Sequence, residues 1–201
     1  MDKNDLYSIM SIMKYIPIFE LPLLIIMVLI RSAILNRQGI KAMAFGVTDK
    51  TDYYIIPAVI FFFYGLLSGV FGFPFPVILK KLFWETGMQN ICAIIICTFS
   101  LVWFGITLNV FGKSFRVGID ESTNGKLITK GTFSVSRNPI YLAFMVFFTG
   151  IFIAYPNIIT SVFLVFIVSI IHRQIIREEV FLKNHYGDEY LNYSKNTRRY
   201  I

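Results

Sequence analysis

The sequence predicts an all-α, polytopic integral membrane protein of about five transmembrane helices, the last two folded into a hairpin. Three observations carry this. First, 56% of the 201 residues are hydrophobic and only 15% are charged, against about 25% charged in ordinary soluble domains. Second, the apolar residues arrive in blocks close to the roughly 20 residues needed to cross a bilayer as a helix. Third, only Pro156 and Asn157 separate the last two blocks, the spacing of a tight antiparallel helical hairpin.

The first block runs from Tyr15 to Leu35. Pro17 and Pro22 lie near its start, where proline is tolerated. Glu20 and Arg31 are eleven residues apart and return to nearly the same helix face. Either both line one interior stripe, as functional intramembrane charges do, or both sit near the interfaces and snorkel. The second block covers Tyr53 to Leu79 and is broken by Gly72-Phe-Pro-Phe-Pro76. The third covers Asn90 to Phe111, the fourth Pro139 to Tyr155 and the fifth Asn157 to Ile176. The chain reads as a single membrane domain over 1–201: three N-terminal spans within 1–111, then a polar loop, the hairpin and a tail within 112–201. Loops as long as the one from Gly112 to Arg137 are commonly functional or disordered, and its interleaved Val117, Ile119, Leu127 and Ile128 favour a folded lid.

The net charge is +7. In a membrane protein this excess belongs to cytoplasmic loops, and no nucleic-acid-binding motif accompanies it. With the N-terminus outside, fifteen of the nineteen Lys and Arg residues fall on the inner side, leaving Lys3, Lys14, Lys80 and Lys81 outside. The positive-inside rule therefore predicts N-out, C-in, with both feet of the hairpin in the cytoplasm. No cleavable signal peptide is evident, since Asp2 and Asp5 flank Lys3 and no small-residue cleavage site follows. Cys92 and Cys97 would point about 140° apart on one helix, too far round for a disulfide. With no His or Asp nearby and only two histidines in the chain, His172 and His185, no metal site is expected. No Rossmann fingerprint, P-loop, His-Glu-x-x-His or Gly-x-Ser-x-Gly motif appears.

The chemistry-bearing residues lie at the two feet of the hairpin. The first foot is Arg137-Asn138-Pro139-Ile140-Tyr141. Pro139 suits the first helical turn and Asn138 the N-cap. This is either a helix start with an interfacial Arg and Tyr, or a set of free N–H groups suited to an anion. The second foot is Arg177-Glu178-Glu179. Two acids at a helix C-terminus oppose the macrodipole, so the helix is expected to continue past them. There Glu178, Leu182 and His185 share a face. The pair could bind a cation, share a proton or be solvated. The tail Tyr186-Gly187-Asp188-Glu189-Tyr190-Leu191-Asn192-Tyr193 is aromatic and acidic; Gly187 reads as a stop, with a second short helix starting at Asp188.

Taken in order, Leu127-Ile128-Thr129-Lys130-Gly131-Thr132-Phe133, Arg137-Asn138-Pro139-Ile140-Tyr141, Glu178-Glu179 and Tyr186-Gly187-Asp188-Glu189-Tyr190-Leu191-Asn192-Tyr193 resemble the isoprenylcysteine carboxyl methyltransferase family of integral membrane enzymes. The phospholipid N-methyltransferases share the same general pattern. The resemblance covers about ninety residues, from Gly112 to Tyr193; no single motif is specific, but the ordered set is. It implies S-adenosylmethionine bound without a Rossmann fold, in a cytoplasmic cofactor-binding region. Leu127, Ile128, Phe133, Asn138, Pro139, Ile140 and Tyr141 would line the cofactor, Glu178 would hold its polar end, and Gly118 and Lys126 would lie at the edge. Asn138 stands where the family has His and cannot carry a proton; Phe133 stands in place of Tyr. Gln174 occupies the position of a substrate-binding Arg, with Arg173 and Arg177 beside it.

The implied reaction is methyl transfer to a lipophilic small molecule or lipid arriving from the bilayer. A carboxylate acceptor needs only positioning, for which Arg173 and Arg177 are candidates. An amine or phenol must lose a proton, and Glu179 or His185 are candidate bases. Two other readings compete. A membrane reductase of steroid-reductase type would need NADPH, although a pair of acids suits a cation better than a dinucleotide's phosphates. A non-enzymatic membrane protein would bind no cofactor. Oligomeric state is not legible.

Overall fold

The computed structural model describes residues 12–38, 55–112 and 126–201; Gly118 and most of the expected lid lie outside them. All regular structure among the described residues is helical. The helices are α1 (Ile16–Arg37), α2 (Ile55–Phe71), α3 (Val77–Lys80), α4 (Gly87–Phe111), α5 (Pro139–Ala154), α6 (Ile158–Tyr186) and α7 (Asp188–Asn196), with a 3-10 turn over Gly131–Ser134 before α5.

Three of these, α1, α4 and α6, are long and apolar enough to cross a membrane; α2 and α5 are shorter apolar helices. Large apolar side chains such as Phe19, Ile60, Phe61, Ile95, Phe99 and Val165 face outward. In water this belt would be an interaction surface or a liability; around apolar helices of spanning length it is a lipid-facing surface. The molecule is thus a polytopic membrane protein.

The interior is built around the α4–α5 pair. α6 packs on α5, α1 on α4 and α5, and α2 on α6. Phe62 of α2 stacks on Phe163 of α6 at 3.8 Å between ring centroids, and Phe104 of α4 meets Phe144 of α5 edge-on at 5.3 Å. Between α4 and α5 the backbones approach closely at Gly150, against Cys97 and Ala93.

The helix ends follow local chemistry. Thr86 and Gln89 form a capping box at the start of α4, and Asn157 with Thr160 forms another at the start of α6. The second apolar block does not run to Leu79 as one helix. It ends at Phe71, Gly72 takes φ +77°, and α3 is a separate turn. Tyr64 and Ser68 donate side-chain hydrogen bonds to the carbonyls of Pro74 (2.8 Å) and Phe73 (3.0 Å), tying the broken segment back to α2. Pro22 lies well inside α1 rather than in its first turn, so the Ile18 carbonyl lacks its usual i+4 donor.

The two charges of α1 do share a stripe, and it faces α4. Glu20 is buried and accepts a 2.6 Å hydrogen bond from the Thr98 hydroxyl. Arg31 donates to the carbonyl of Gly112, the residue that ends α4. Glu20 is therefore an interior group, and Arg31 caps a helix C-terminus, where a cation is favourable.

The lengths of α5 and α6 decide where the site lies. At 1.5 Å per residue, the 29 residues of α6 reach about 43 Å and the 16 of α5 about 24 Å. A hydrocarbon core is roughly 30 Å thick. The two helices are joined by a short turn at one end, so α6 overshoots α5 at the other: Glu178 and Glu179 lie level with the start of α5, and α6 continues past them to Tyr186. As expected from the paired acids, α6 continues to Tyr186; Gly187 turns the chain at φ +53° and α7 begins at Asp188.

Candidate active site

The first foot is set by the 3-10 turn. Gly131 takes φ +64°, and a Cβ there would lie 2.9 Å from a Val110 methyl of α4. Glycine is thus required both by conformation and by contact. Phe133 is buried against Phe111 at 4.9 Å, and its carbonyl accepts a 2.6 Å bond from the Tyr193 hydroxyl of α7. Pro139 opens α5, and its carbonyl accepts from the Trp103 indole of α4 at 3.0 Å. The start of α5 is therefore held from α4 and α7 together.

Asn138 occupies the N-cap position, but its side chain does not cap α5. The amide turns outward instead, donating to Glu179 Oε1 at 3.3 Å and to the Arg199 carbonyl at 3.2 Å. The expectation of a side-chain cap is corrected. A cap would accept through Oδ1 from the helix N–H groups, whereas here Nδ2 donates to a carboxylate and a carbonyl that hold the amide elsewhere.

The two feet meet, as the hairpin predicts. The Tyr141 hydroxyl donates to Glu178 Oε1, which also accepts from Gln174 Nε2 at 2.9 Å. Arg177 Nη2 in turn donates to Gln174 Oε1 at 2.5 Å. Both donors converge on one oxygen of Glu178, and its Oε2 takes part in neither bond. A carboxylate beside the first turn of α5, oriented by a phenol and an amide, suits a cationic group.

Glu179 has a different environment. Arg137 Nη2 lies 3.0 Å from its Oε1 and Arg199 Nη2 lies 2.8 Å from its Oε2, with Arg199 Nε at 3.1 Å. Two guanidiniums and the Asn138 amide thus engage both oxygens of this carboxylate. Glu179, a candidate base in the sequence, is therefore held in an ion-pair network between the two feet. The hydrogen bond to Glu179 raises the Arg199 pKa, outweighing its partial burial.

The remaining expected residues divide. Leu127 and Ile128 are half-buried on the segment leading into the 3-10 turn, and Lys126 is exposed. Ile140 is partly buried and packs on the interior cluster of the bundle. Arg173 is exposed and Arg177 half-buried on α6. His185 stacks on Phe181 at 5.5 Å and meets Tyr186 edge-on at 4.7 Å.

Four participants were not singled out as site residues by the sequence: Gln174, Ser136, Tyr190 and Arg199. Gln174 is four residues before Glu178, a spacing that puts them on one helix face. Ser136 Oγ accepts from the Asn138 N–H at 3.1 Å and donates to the Arg199 carbonyl at 3.2 Å. Tyr190 is buried beside Glu179, Arg137 and Arg199. Burial first, then the Glu179 charge, pushes its phenol up to about 12, with the two arginines opposing. No local spacing marks Arg199, which reaches Glu179 from 20 residues away across two helix ends.

A family model described as phospholipid methyltransferase matches residues 86–189, from the cap of α4 to the first turn of α7. No curated protein and no solved structure matches the chain. The match covers more than half of the sequence and includes both feet of the hairpin with the Tyr141–Glu178 contact between them, so the chain belongs to the phospholipid methyltransferase family and is a membrane methyltransferase.

Proposed function

We propose that this protein transfers a methyl group from S-adenosylmethionine to a lipophilic acceptor, a lipid or isoprenoid, at the end of the bundle where the hairpin feet meet, and that this end faces the cytoplasm. The observation that carries the reading is the Tyr141–Gln174–Glu178 arrangement. When bound, the cofactor supplies an electrophilic methyl on a sulfonium, so that transfer is a direct displacement.

The residues present fit such a group. Glu178 offers a carboxylate whose second oxygen is outside the Tyr141 and Gln174 bonds, suited to an ammonium. Leu127 and Ile128, half-buried before the turn that enters α5, offer apolar surface, and the fully buried Pro139 backs the start of α5; Lys126 is assigned to the edge of the same region, and Gly118, assigned there by the resemblance, lies outside the described residues. Tyr141 and Gln174 orient Glu178, and Arg177 orients Gln174. Asn138 contributes through Glu179 and the chain beyond α7 rather than as a proton carrier.

A lipid acceptor fits the depth of the site. Because α5 is shorter than the hydrocarbon core, its first turn lies near the lipid boundary, where a headgroup and a water-soluble cofactor can both reach. Gln174 holds Glu178 where a substrate-binding Arg would otherwise stand, which favours an acceptor other than an isoprenylcysteine carboxylate. Arg173 and Arg177 remain the candidates for contacting an anionic part of the acceptor.

The test is S-adenosylmethionine binding to detergent-purified protein. Wild type binds saturably. Glu178→Ala removes a charged partner worth about 1.5–3 kcal/mol, so affinity falls about ten- to a hundredfold. Tyr141→Phe keeps the ring, removes the orienting hydroxyl and gives a smaller loss. Folded wild type that binds NADPH and not S-adenosylmethionine would move the assignment to a reductase; binding of neither would leave the cofactor reading without support.

A further inference from the structure

The last residues described, Thr197–Ile201, follow α7 without regular secondary structure and lie beyond the stretch matched by the family model. They do not trail into solvent. The Arg137 N–H donates to the Arg198 carbonyl at 3.0 Å. Ser136 Oγ and Asn138 Nδ2 both donate to the Arg199 carbonyl at 3.2 Å. The segment's backbone is thereby bonded to the first foot of the hairpin at three successive residues.

Its side chains go to the second foot. Arg199 places two nitrogens on Glu179 Oε2, and the Tyr200 hydroxyl lies 2.5 Å from His172 Nδ1, with the two rings stacked at 6.3 Å. His172 and Glu179 are seven residues, two turns, apart on α6. The strap therefore grips α6 at two levels while its backbone grips the start of α5. Arg137 closes the loop by pairing with Glu179 and donating from Nη1 to the Ser194 carbonyl at 3.2 Å.

We propose that Thr197–Ile201 is a clasp between the two feet, and that Arg199 is a positioning residue for methyl transfer, acting through Glu179 on the adjacent Glu178. This rests on the methyltransferase reading above. Neighbouring residues on a helix point about 100° apart. A rigid hold on Glu179 therefore fixes the rotation of α6 and with it the direction in which Glu178 meets Tyr141. Arg suits this role because its fork binds one carboxylate oxygen through two N–H groups, which a lysine cannot do. Glu179 then serves as the anchor of the clasp rather than as a base.

The experiment compares Arg199→Ala, Arg199→Lys and wild type in a Trp84→Phe background, where Trp103 is the remaining tryptophan. Trp103 reports on the start of α5 through its bond to Pro139. Each protein is measured for S-adenosylmethionine affinity, Trp103 emission and melting temperature. The clasp predicts that Arg199→Ala weakens binding about tenfold and shifts Trp103 emission while the protein stays folded, and that Arg199→Lys recovers part of both. Unchanged affinity and emission in folded Arg199→Ala would overturn it. So would losses of affinity that only track melting temperature with no recovery by Lys. Should wild type bind no S-adenosylmethionine, the cofactor reading fails on its own, and the emission shift with its recovery by Lys still decides whether the segment clasps the feet.

Discussion

Glu178 and Glu179 are neighbours in sequence with unlike surroundings. Glu178 meets a phenol and an amide, whereas Glu179 meets two guanidiniums. The sequence displays the pair and its place at a helix end, yet nothing in it divides the roles, because the partner that does so arrives from beyond Gly187. The same crowding acts on Tyr190. Its phenol is pushed up to about 12, mainly by burial, from an ordinary value near 10. The folded state thus favours the neutral phenol. The stability this contributes is complete below about pH 10 and is lost as pH rises through about 12. Wild type should therefore lose more melting temperature between pH 8 and pH 11 than Tyr190→Phe, which has no proton to lose. Equal losses would show that Tyr190 titrates like a free phenol.

At the level of elements, breakers and caps were legible and side-chain partners were not. Pro139 starts α5, Asn157 caps α6, Gly187 ends it, and the Gly72–Pro76 break ends α2. Asn138 shows the limit: a good N-cap residue in the N-cap position instead donates its amide to Glu179 and Arg199, tertiary acceptors 41 and 61 residues away that no local spacing reveals. The close approach of α4 and α5 was equally hidden, since one glycine within a spanning helix does not reveal what faces it. In the structure a Cβ on Gly150 would lie 2.5 Å from Cys97 Sγ and 3.2 Å from an Ile96 methyl. Gly150→Ala should therefore destabilise the bundle by about 1–3 kcal/mol, the usual range for overpacking. Cys97→Ala in the same chain removes the nearest atom and should restore part of that loss. Thermal unfolding in detergent for the two single variants and the double variant gives the coupling, and purely additive effects would mean that the seam accommodates the methyl by another route.

Across the whole molecule, the five apolar blocks and the hairpin were readable because lipid imposes length and composition on every spanning helix. What the hairpin brings together was readable only as a meeting of two feet, since a bilayer constrains depth far more than it constrains which side chains touch. Depth itself carries one more consequence. The start of α4 and the α5–α6 turn lie at one end of the bundle, where Phe83 N–H donates to the Pro156 carbonyl at 2.7 Å and Gln89 reaches Ala154. Lys80 and Lys81 lie in the segment leading to that end. The Tyr141–Glu178 site, Arg198 and Arg199 belong to the other, the side to which the sequence-based topology assigns fifteen of the nineteen basic residues. The positive-inside rule then supports the proposed cytoplasmic orientation of the site, the side on which a charged, water-soluble methyl donor is made available. Two chains with one added cysteine each, Lys81→Cys and Lys195→Cys in a Cys92→Ser background, test this with a membrane-impermeant maleimide on sealed right-side-out vesicles. Cys97 is buried and should stay silent. Lys81→Cys should label in intact vesicles and Lys195→Cys only after permeabilisation. The reverse pattern would put the site on the outer face, away from any cytoplasmic pool of methyl donor, and would require a different source for the reaction.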